Sequence, residues 1–246
     1  MRQVNYTILE NKPLTASVYR MALRGDNSAI TAPGQFVDLK LEGLYLRRPI
    51  SVCDVAGDAL TLIYKIVGKG TEQLARMVPG EVLDALTGLG NGYDLTVAGE
   101  CPVLVGGGVG VPPLYLLAKE LIAQGKRVSV CLGFNTADEV FYEDEFRALG
   151  CDVRVSTVDG SYGAQGFVTA ILPERPSYYY ACGPEPMLKA VFKALPCSGQ
   201  LSFEARMGCG FGACMGCTCE TLTGYKRICK DGPVLRKEEL LWNARV

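Results

Sequence analysis

Leu104-Val-Gly-Gly-Gly-Val-Gly-Val-Pro-Pro113 carries the reading of the fold. Val103–Val105 is an apolar run of strand length, and Gly106–Gly110 is a glycine loop. A helix is expected from about Pro112 to Gln124, started by prolines, which the first helical turn tolerates. Strand, glycine turn and helix in that order can cradle a pyrophosphate on the free N–H groups of the helix start. The spacing is not a full G-x-G-x-x-G: Gly106 and Gly108 fit its first two positions, but Val111 stands at the third. Gly106, Gly107, Gly108 and Gly110 are the candidate nucleotide residues, on a signal that is weak when taken alone.

The segment after the loop keeps alternating. Strands are expected at Arg127–Leu132, Asp152–Ser156, Tyr178–Ala181 and Gln200–Glu204, and helices at Tyr142–Ala148 and Pro186–Ala194. Residues 99–205 therefore read as a parallel α/β domain. Tyr180-Ala-Cys-Gly-Pro-Glu-Pro-Met187 ends the last central strand. Open α/β sheets bind ligands at the carboxyl ends of their strands, so Cys182, Gly183 and Pro184 are expected at the nucleotide's reactive end. The plainer reading of the same residues is a Gly-Pro turn between strand and helix.

Residues 1–98 read as β. Short runs at Val4–Glu10, Ser17–Leu23, Gln35–Leu41, Ile50–Val55 and Leu60–Val67 are separated by Gly and Pro clusters, a density that suggests a small barrel. Thr71–Met77 reads as a short helix capped by Thr71. Within the barrel, Arg47-Arg-Pro-Ile-Ser51 offers a guanidinium fork suited to phosphate and a small hydroxyl. Ile63-Tyr-Lys-Ile-Val-Gly-Lys-Gly-Thr71 runs into the helix start, another anion site, with Tyr64 as an aromatic face for a ring system.

The strongest chemical signal is Met207-Gly-Cys-Gly-Phe-Gly-Ala-Cys-Met-Gly-Cys-Thr-Cys219. Cys209, Cys214 and Cys217 stand at C-x4-C-x2-C, the spacing of three ligands of a plant-type 2Fe–2S cluster, and the glycines let backbone N–H groups approach sulfur. A four-cysteine zinc site is the competing reading of these spacings. The fourth ligand comes from Cys219 or Cys229. Cys219 is only two positions beyond Cys217, too close to reach around a two-iron rhomb easily; Cys229 is expected on a returning strand and is the preferred choice. Residues 206–246 form this module.

Composition limits the alternatives. The 246 residues are 48% hydrophobic and 21% charged, with a formal net charge of −1, so nothing points to nucleic acid or a polybasic membrane contact. The chain contains no histidine, which excludes a Rieske centre and any Ser-His or Cys-His catalytic pair. Of eleven cysteines, five crowd into the module; Cys53, Cys101, Cys131, Cys151, Cys182 and Cys197 lie in apolar contexts expected of buried thiols. Nothing at the N-terminus reads as a signal peptide, and a reducing cytoplasm is the expected compartment. Cys101–Ala118 carries no charge over eighteen residues, but its four glycines and three prolines argue against a membrane helix.

The order of these parts resembles the ferredoxin–NADP reductase superfamily. More closely, Arg48-Pro-Ile-Ser51, Gly68-Lys-Gly-Thr71, Gly106–Pro113, Cys182-Gly-Pro184, Gly208–Cys217 and Cys229-Lys-Asp-Gly-Pro233 resemble the electron-transfer subunits of dihydroorotate dehydrogenase B, over essentially the whole chain. The resemblance implies an antiparallel FAD-binding β-barrel, a parallel α/β NAD domain and a small 2Fe–2S module. It implies FAD held by Arg48, Pro49, Ile50, Ser51, Ile63, Tyr64, Lys65, Ile66, Gly70 and Thr71, with Arg48 on the pyrophosphate and Ser51 near the isoalloxazine. It implies the cluster on Cys209, Cys214, Cys217 and Cys229. It further implies an FMN-containing catalytic partner subunit in a heterotetramer of two plus two, with electrons running from FMN through the cluster and FAD to NAD⁺ in pyrimidine biosynthesis. Related flavin–iron–sulfur subunits of ferredoxin:NADP or sulfide dehydrogenase-like oxidoreductases share this order of parts. Gly133-Phe-Asn-Thr-Ala-Asp-Glu139 lacks the Arg or Lys that a 2′-phosphate wants, which favours NAD over NADP. Phe211 and Met215 are the expected partner contact, since electrons must cross at the exposed part of the cluster loop.

Overall fold

The computed structural model describes residues 1–243; the last three residues of the 206–246 segment lie outside them. Six antiparallel strands, β1 (Arg2–Pro13), β2 (Val18–Arg24), β3 (Phe36–Leu39), β4 (Arg48–Ala56), β5 (Ala59–Lys65) and β6 (Val82–Leu89), close into a barrel in the order β1-β2-β5-β4-β3-β6. Helix α1 (Lys69–Arg76) follows β5 in the chain and packs Leu74 into the barrel core. Strand β6 is the element the sequence reading omits. Its Leu83, Ala85, Thr87 and Leu89 are buried and alternate with partly exposed residues, yet Asp84, Ala85 and Gly88 dilute the β-branched and aromatic signal. Its pairing with β1 and β3 closes the barrel and removes the edges.

The second unit is a seven-stranded sheet in the order β10-β9-β8-β7-β11-β12-β15. Strands β7 (Val103–Gly107), β8 (Ser129–Phe134), β9 (Asp152–Thr157), β11 (Tyr179–Cys182) and β12 (Gly199–Ser202) pair in parallel, and the two-residue β10 (Ala164–Gln165) continues that direction at one edge. Helices α2 (Pro113–Ala123), α3 (Glu143–Ala148) and α4 (Glu185–Ala194) follow β7, β8 and β11. Helix α3 starts after Tyr142, which sits outside it with φ 67°.

The cysteine-rich segment contributes a hairpin, β13 (Thr218–Thr221) with β14 (Gly224–Arg227), and then β15 (Val234–Arg236). Strand β15 runs antiparallel to β12, so the C-terminal segment supplies the outer strand of the nucleotide sheet. One apolar cluster joins all three parts: Phe36 and Leu89 of the barrel, Val105, Ala181 and Leu201 of the sheet, and Cys217, Ile228 and Cys229 of the module.

Asn91, just past β6, fastens this junction. Its backbone N–H donates to Gly232 O at 2.7 Å. Its side-chain amide donates to Asp231 O (3.2 Å) and Val234 O (2.8 Å) and accepts from Val234 N–H (3.1 Å). Asn91→Ala is expected to cost about 1–2 kcal/mol, the scale of lost hydrogen bonds partly replaced by water; urea unfolding followed by circular dichroism checks it, and an unchanged midpoint would count against Asn91 as the fastener.

Candidate functional site

The barrel end of the site is built around Arg48. Strand β4 brings Arg48, Pro49, Ile50 and Ser51, all half-buried, alongside β3, with Ser51 opposite Phe36 and Pro49 opposite Asp38. The Arg48 guanidinium lies directly over Gly70, so that a methyl group there would overlap it. This puts a planar cation on the first turn of α1, whose leading N–H groups are free. The structure thus joins two segments separated by twenty-two positions into one anion cradle. Thr71 is not the N-cap. Gly68 holds that position, and Thr71, three residues on, accepts from Val67 N–H (2.9 Å) and Gly68 N–H (3.3 Å) while donating to Gly68 O (3.1 Å). Its hydroxyl shapes the turn.

Tyr64 is not an open aromatic face. Its side chain is in the barrel core, its hydroxyl donates to Asn11 Oδ1 at 2.9 Å, and burial raises its pKa. Asn11 in turn donates to Leu74 O and Met77 O, the end of α1. Tyr64 therefore positions α1 from behind. Ile63 is buried in the core shared with α2. Ile66 is half-buried, with its N–H on Ser17 O at 2.8 Å. Lys65 points elsewhere: it lines a cavity of about 590 Å³ together with Gly107 and Gly108.

That cavity is the nucleotide-sized cleft at the carboxyl ends of the parallel strands. Gly107, Gly108, Pro184 and Met187 line its middle, Gly133, Asn135 and Glu139 one flank, and Glu204 the other. Gly106 lets α2 close on β7, because any side chain would meet Val111 and Leu114. A side chain on Gly110 would overlap the backbone of Cys182 and Gly183, so the glycine loop and the Cys-Gly-Pro turn abut. Gly108, at φ 52°, faces open space. The Cys182 thiol is buried, pushed up to about 12 by desolvation and by nearby Glu204, with Tyr93 and Ser202 beside it. It is a poor thiolate and packs as a neutral group. Asn135, Glu139 and Glu204 were not singled out as ligands from sequence. The first two lie at the end of β8, where a strand-end rule could have found them; Glu204 carries no spacing signal.

In the cysteine loop the thiols stand as two pairs. Cys214 stands against the Cys209 thiol, and Cys229 against the Cys217 thiol. Cys209 Sγ accepts Ala213 N–H (3.2 Å) and Cys214 N–H (3.4 Å); Cys217 Sγ accepts Cys229 N–H (3.4 Å). Burial raises Cys209, but the N–H groups of Cys214, Phe211 and Ala213 outweigh it and hold the thiol down to about 6. Burial and the adjoining Cys217 push Cys229 up to about 12. Among the described residues no three His, Cys, Asp or Glu side chains surround a point that one metal ion could occupy. Two pairs of thiols fit a two-iron rhomb, in which each iron takes two. Cys229 is not on a strand: β14 ends at Arg227, and Cys229 sits in the turn beyond it. Arg227 shapes that turn by bonding Asp231 (2.8 and 3.1 Å) and Gly212 O of the cysteine loop (3.0 Å). Cys219 lies on β13 opposite Lys226. Asp38 projects from β3 against Gly210, where a side chain would overlap its carboxyl. It is buried, its Oδ1 has no hydrogen-bond partner among the described residues, and desolvation pushes it up to about 6 against the pull of Arg47.

Residues 204–241 match the iron–sulfur cluster binding domain of dihydroorotate dehydrogenase B, and residues 104–193 match an oxidoreductase NAD-binding domain. A dihydroorotate dehydrogenase B (NAD(+)) electron transfer subunit of Geobacillus sp. (strain WCH70) is 45% identical over 98% of this chain and 99% of its own length. The chain belongs to this family of electron-transfer subunits. A second member, from Fusobacterium nucleatum, is 42% identical over 95% of this chain and 96% of its own length. Among solved structures, the NADH-dependent reduced ferredoxin-NADP oxidoreductase is similar with TM-score 0.86 and 29% identity, over 97% of this chain and 90% of that one. A ferredoxin NADP+ reductase from Neisseria gonorrhoeae, with TM-score 0.69 and 17% identity over 79% and 90%, shares the fold. The antiparallel barrel, the parallel nucleotide domain and the iron–sulfur module expected from sequence are the parts this family has.

Ligand choice is testable. Cys229→Ser is expected to lose most of the bound iron, and Cys219→Ser to keep it; iron and sulfide analysis of the two purified proteins checks this, and equal iron in both would refute the assignment.

Proposed function

We propose that this chain carries electrons from an FMN-containing dihydroorotate dehydrogenase catalytic subunit through a 2Fe–2S cluster and FAD to NAD⁺, in the synthesis of pyrimidines. The observation that carries the reading is one apolar cluster joining the barrel (Phe36, Leu89), the nucleotide sheet beside the glycine-lined cleft (Met187) and the paired thiols (Cys217, Cys229). Full-length similarity above 40% to proteins named as electron transfer subunits supports it over the ferredoxin:NADP and sulfide dehydrogenase-like alternative.

Flavin and cluster supply the exchange between two-electron and one-electron steps when bound. The chain's own residues hold and shield. Arg48 and the α1 N-terminus neutralise the FAD pyrophosphate, and Pro49, Ile50 and Ser51 lie along the ring edge. Backbone at Ile63–Ile66 and Gly70–Thr71 completes the FAD site, with Lys65 placed between it and the nucleotide cleft. Gly106, Gly107, Gly108 and Gly110 admit the NAD pyrophosphate, and Cys182, Gly183 and Pro184 bound the nicotinamide end. Cys209, Cys214, Cys217 and Cys229 hold the cluster.

On this reading the units run over 1–98, 99–205 and 206–246, with β15 lent to the middle one. The partner contacts the cluster loop at Phe211 and Met215, which are 42% and 54% exposed. The working assembly is two such subunits with two catalytic ones, in the cytoplasm; no described helix is long and apolar enough to cross a membrane.

The purified chain with its cofactors is expected to oxidise NADH with ferricyanide and to leave dihydroorotate untouched until the catalytic subunit is added. Dihydroorotate turnover by this chain alone would contradict the proposal.

A further inference from the structure

Strand β3 places a charge where its pattern calls for an apolar side chain. Phe36, Val37, Asp38 and Leu39 are all buried. Val37 and Leu39 belong to the barrel core. Phe36 stands on the other face, in the apolar cluster that holds Cys217 and Cys229. Side chains two apart on a strand share a face, so Asp38 lies with Phe36 on the side of the cysteine loop. Gly210 marks the same direction, because a side chain on it would overlap the Asp38 carboxyl. Gly210 follows Cys209 directly and has φ 76°. The loop thus passes the carboxyl with the one residue that fits both the space and the backbone angle.

No neighbour neutralises this carboxyl. It is 3% exposed, and its Oδ1 has no hydrogen-bond partner among the described residues. Both nearby guanidinium groups are engaged elsewhere. Arg47 bonds Asp84 Oδ1 (3.0 Å), Asp84 O (3.2 Å) and the backbone carbonyl of Asp38 itself (3.2 Å). Arg48 bonds the carbonyls of Leu46 and Arg47. One electron entering a 2Fe–2S cluster adds one negative charge and makes or breaks no bond. The N–H groups of Ala213 and Cys214 on Cys209 Sγ favour that added charge. A buried carboxylate beside the same loop opposes it, more strongly than it would in water. Net charge around a cluster is one of the quantities that set its potential.

Resting on the cluster reading above, we propose that Asp38 sets the reduction potential of the 2Fe–2S cluster, holding it low so that an electron received from the catalytic subunit moves on to FAD. The test is a potentiometric EPR titration of the FAD- and cluster-loaded chain and its variants at about pH 8, well above the value to which burial raises Asp38. The signal reports intact clusters alone, so partial loss of iron in a variant leaves the midpoint readable. Asp38→Asn keeps the shape and removes the charge; it is expected to favour the reduced cluster about 10-fold or more, an upward shift of about 59 mV for one electron. Asp38→Leu is expected to shift the same way, and Asp38→Glu to stay near the native value. A native-like or lower potential in either the Asn or the Leu variant overturns the assignment; a rise confined to Asn would reveal a donated hydrogen bond in place of a lost charge. If the native chain gives no 2Fe–2S signal with any reductant, the cluster reading itself fails and Asp38 with it.

Discussion

The turn from Ile228 to Pro233 is the constraint on which the arrangement depends, because three parts of the molecule meet on it. Ile228 N–H bonds to Cys217 O (3.1 Å) and Cys229 N–H to Cys217 Sγ (3.4 Å), which sets the second thiol pair. Asn91 grips the same turn from the end of the barrel, and Phe203 N–H bonds to Pro233 O (2.9 Å) on the nucleotide side. The chain then continues directly into β15. A displacement of this turn moves the cysteine loop relative to both other sites at once. Electron transfer between fixed carriers needs a rigid scaffold, and here the rigidity comes from a shared apolar core with hydrogen bonds at its rim.

The electrostatics of the junction are uneven. Arg47 is engaged with Asp84 Oδ1 (3.0 Å) and two backbone carbonyls, so it braces the barrel rather than serving a ligand. Arg48 is the guanidinium over the helix start. Asp38, between β4 and the cysteine loop, is a buried carboxyl without an ion-pair partner among the described residues, and burying such a group costs stability unless something compensates. Groups that break local rules of packing concentrate where a site is built, and Asp38 lies between Pro49 of β4 and Gly210 of the cysteine loop.

Much of this was legible in the sequence. The alternation of strands and helices that follows the glycine loop identified the parallel domain, since strand and helix in repeated alternation pack as a parallel sheet. The cysteine spacing identified the cluster loop, because ligand geometry leaves little freedom. What was not legible depends on distant partners. Strand β6 has no strong propensity of its own and is a strand because β1 and β3 need it to close the barrel. Tyr64 looks like an exposed platform until Asn11 draws it into the core. Thr71 resembles a cap by residue type, but the extended Gly68 begins the helix. Cys229 required a turn, not a strand, and that turn is made by the Arg227–Asp231 pair. Glu139 and Glu204 face the cleft only because the sheet sets the ends of β8 and β12 around it.

The claim that binds these observations is that the three sites form one electron path. The direct measurement is the EPR spectrum of the anaerobically purified chain, with FAD and cluster loaded, before and after NADH. A rhombic 2Fe–2S signal that grows on addition of NADH is the predicted result. A signal produced by dithionite but not by NADH would contradict it, because a cluster would then be present without connection to the nucleotide cleft.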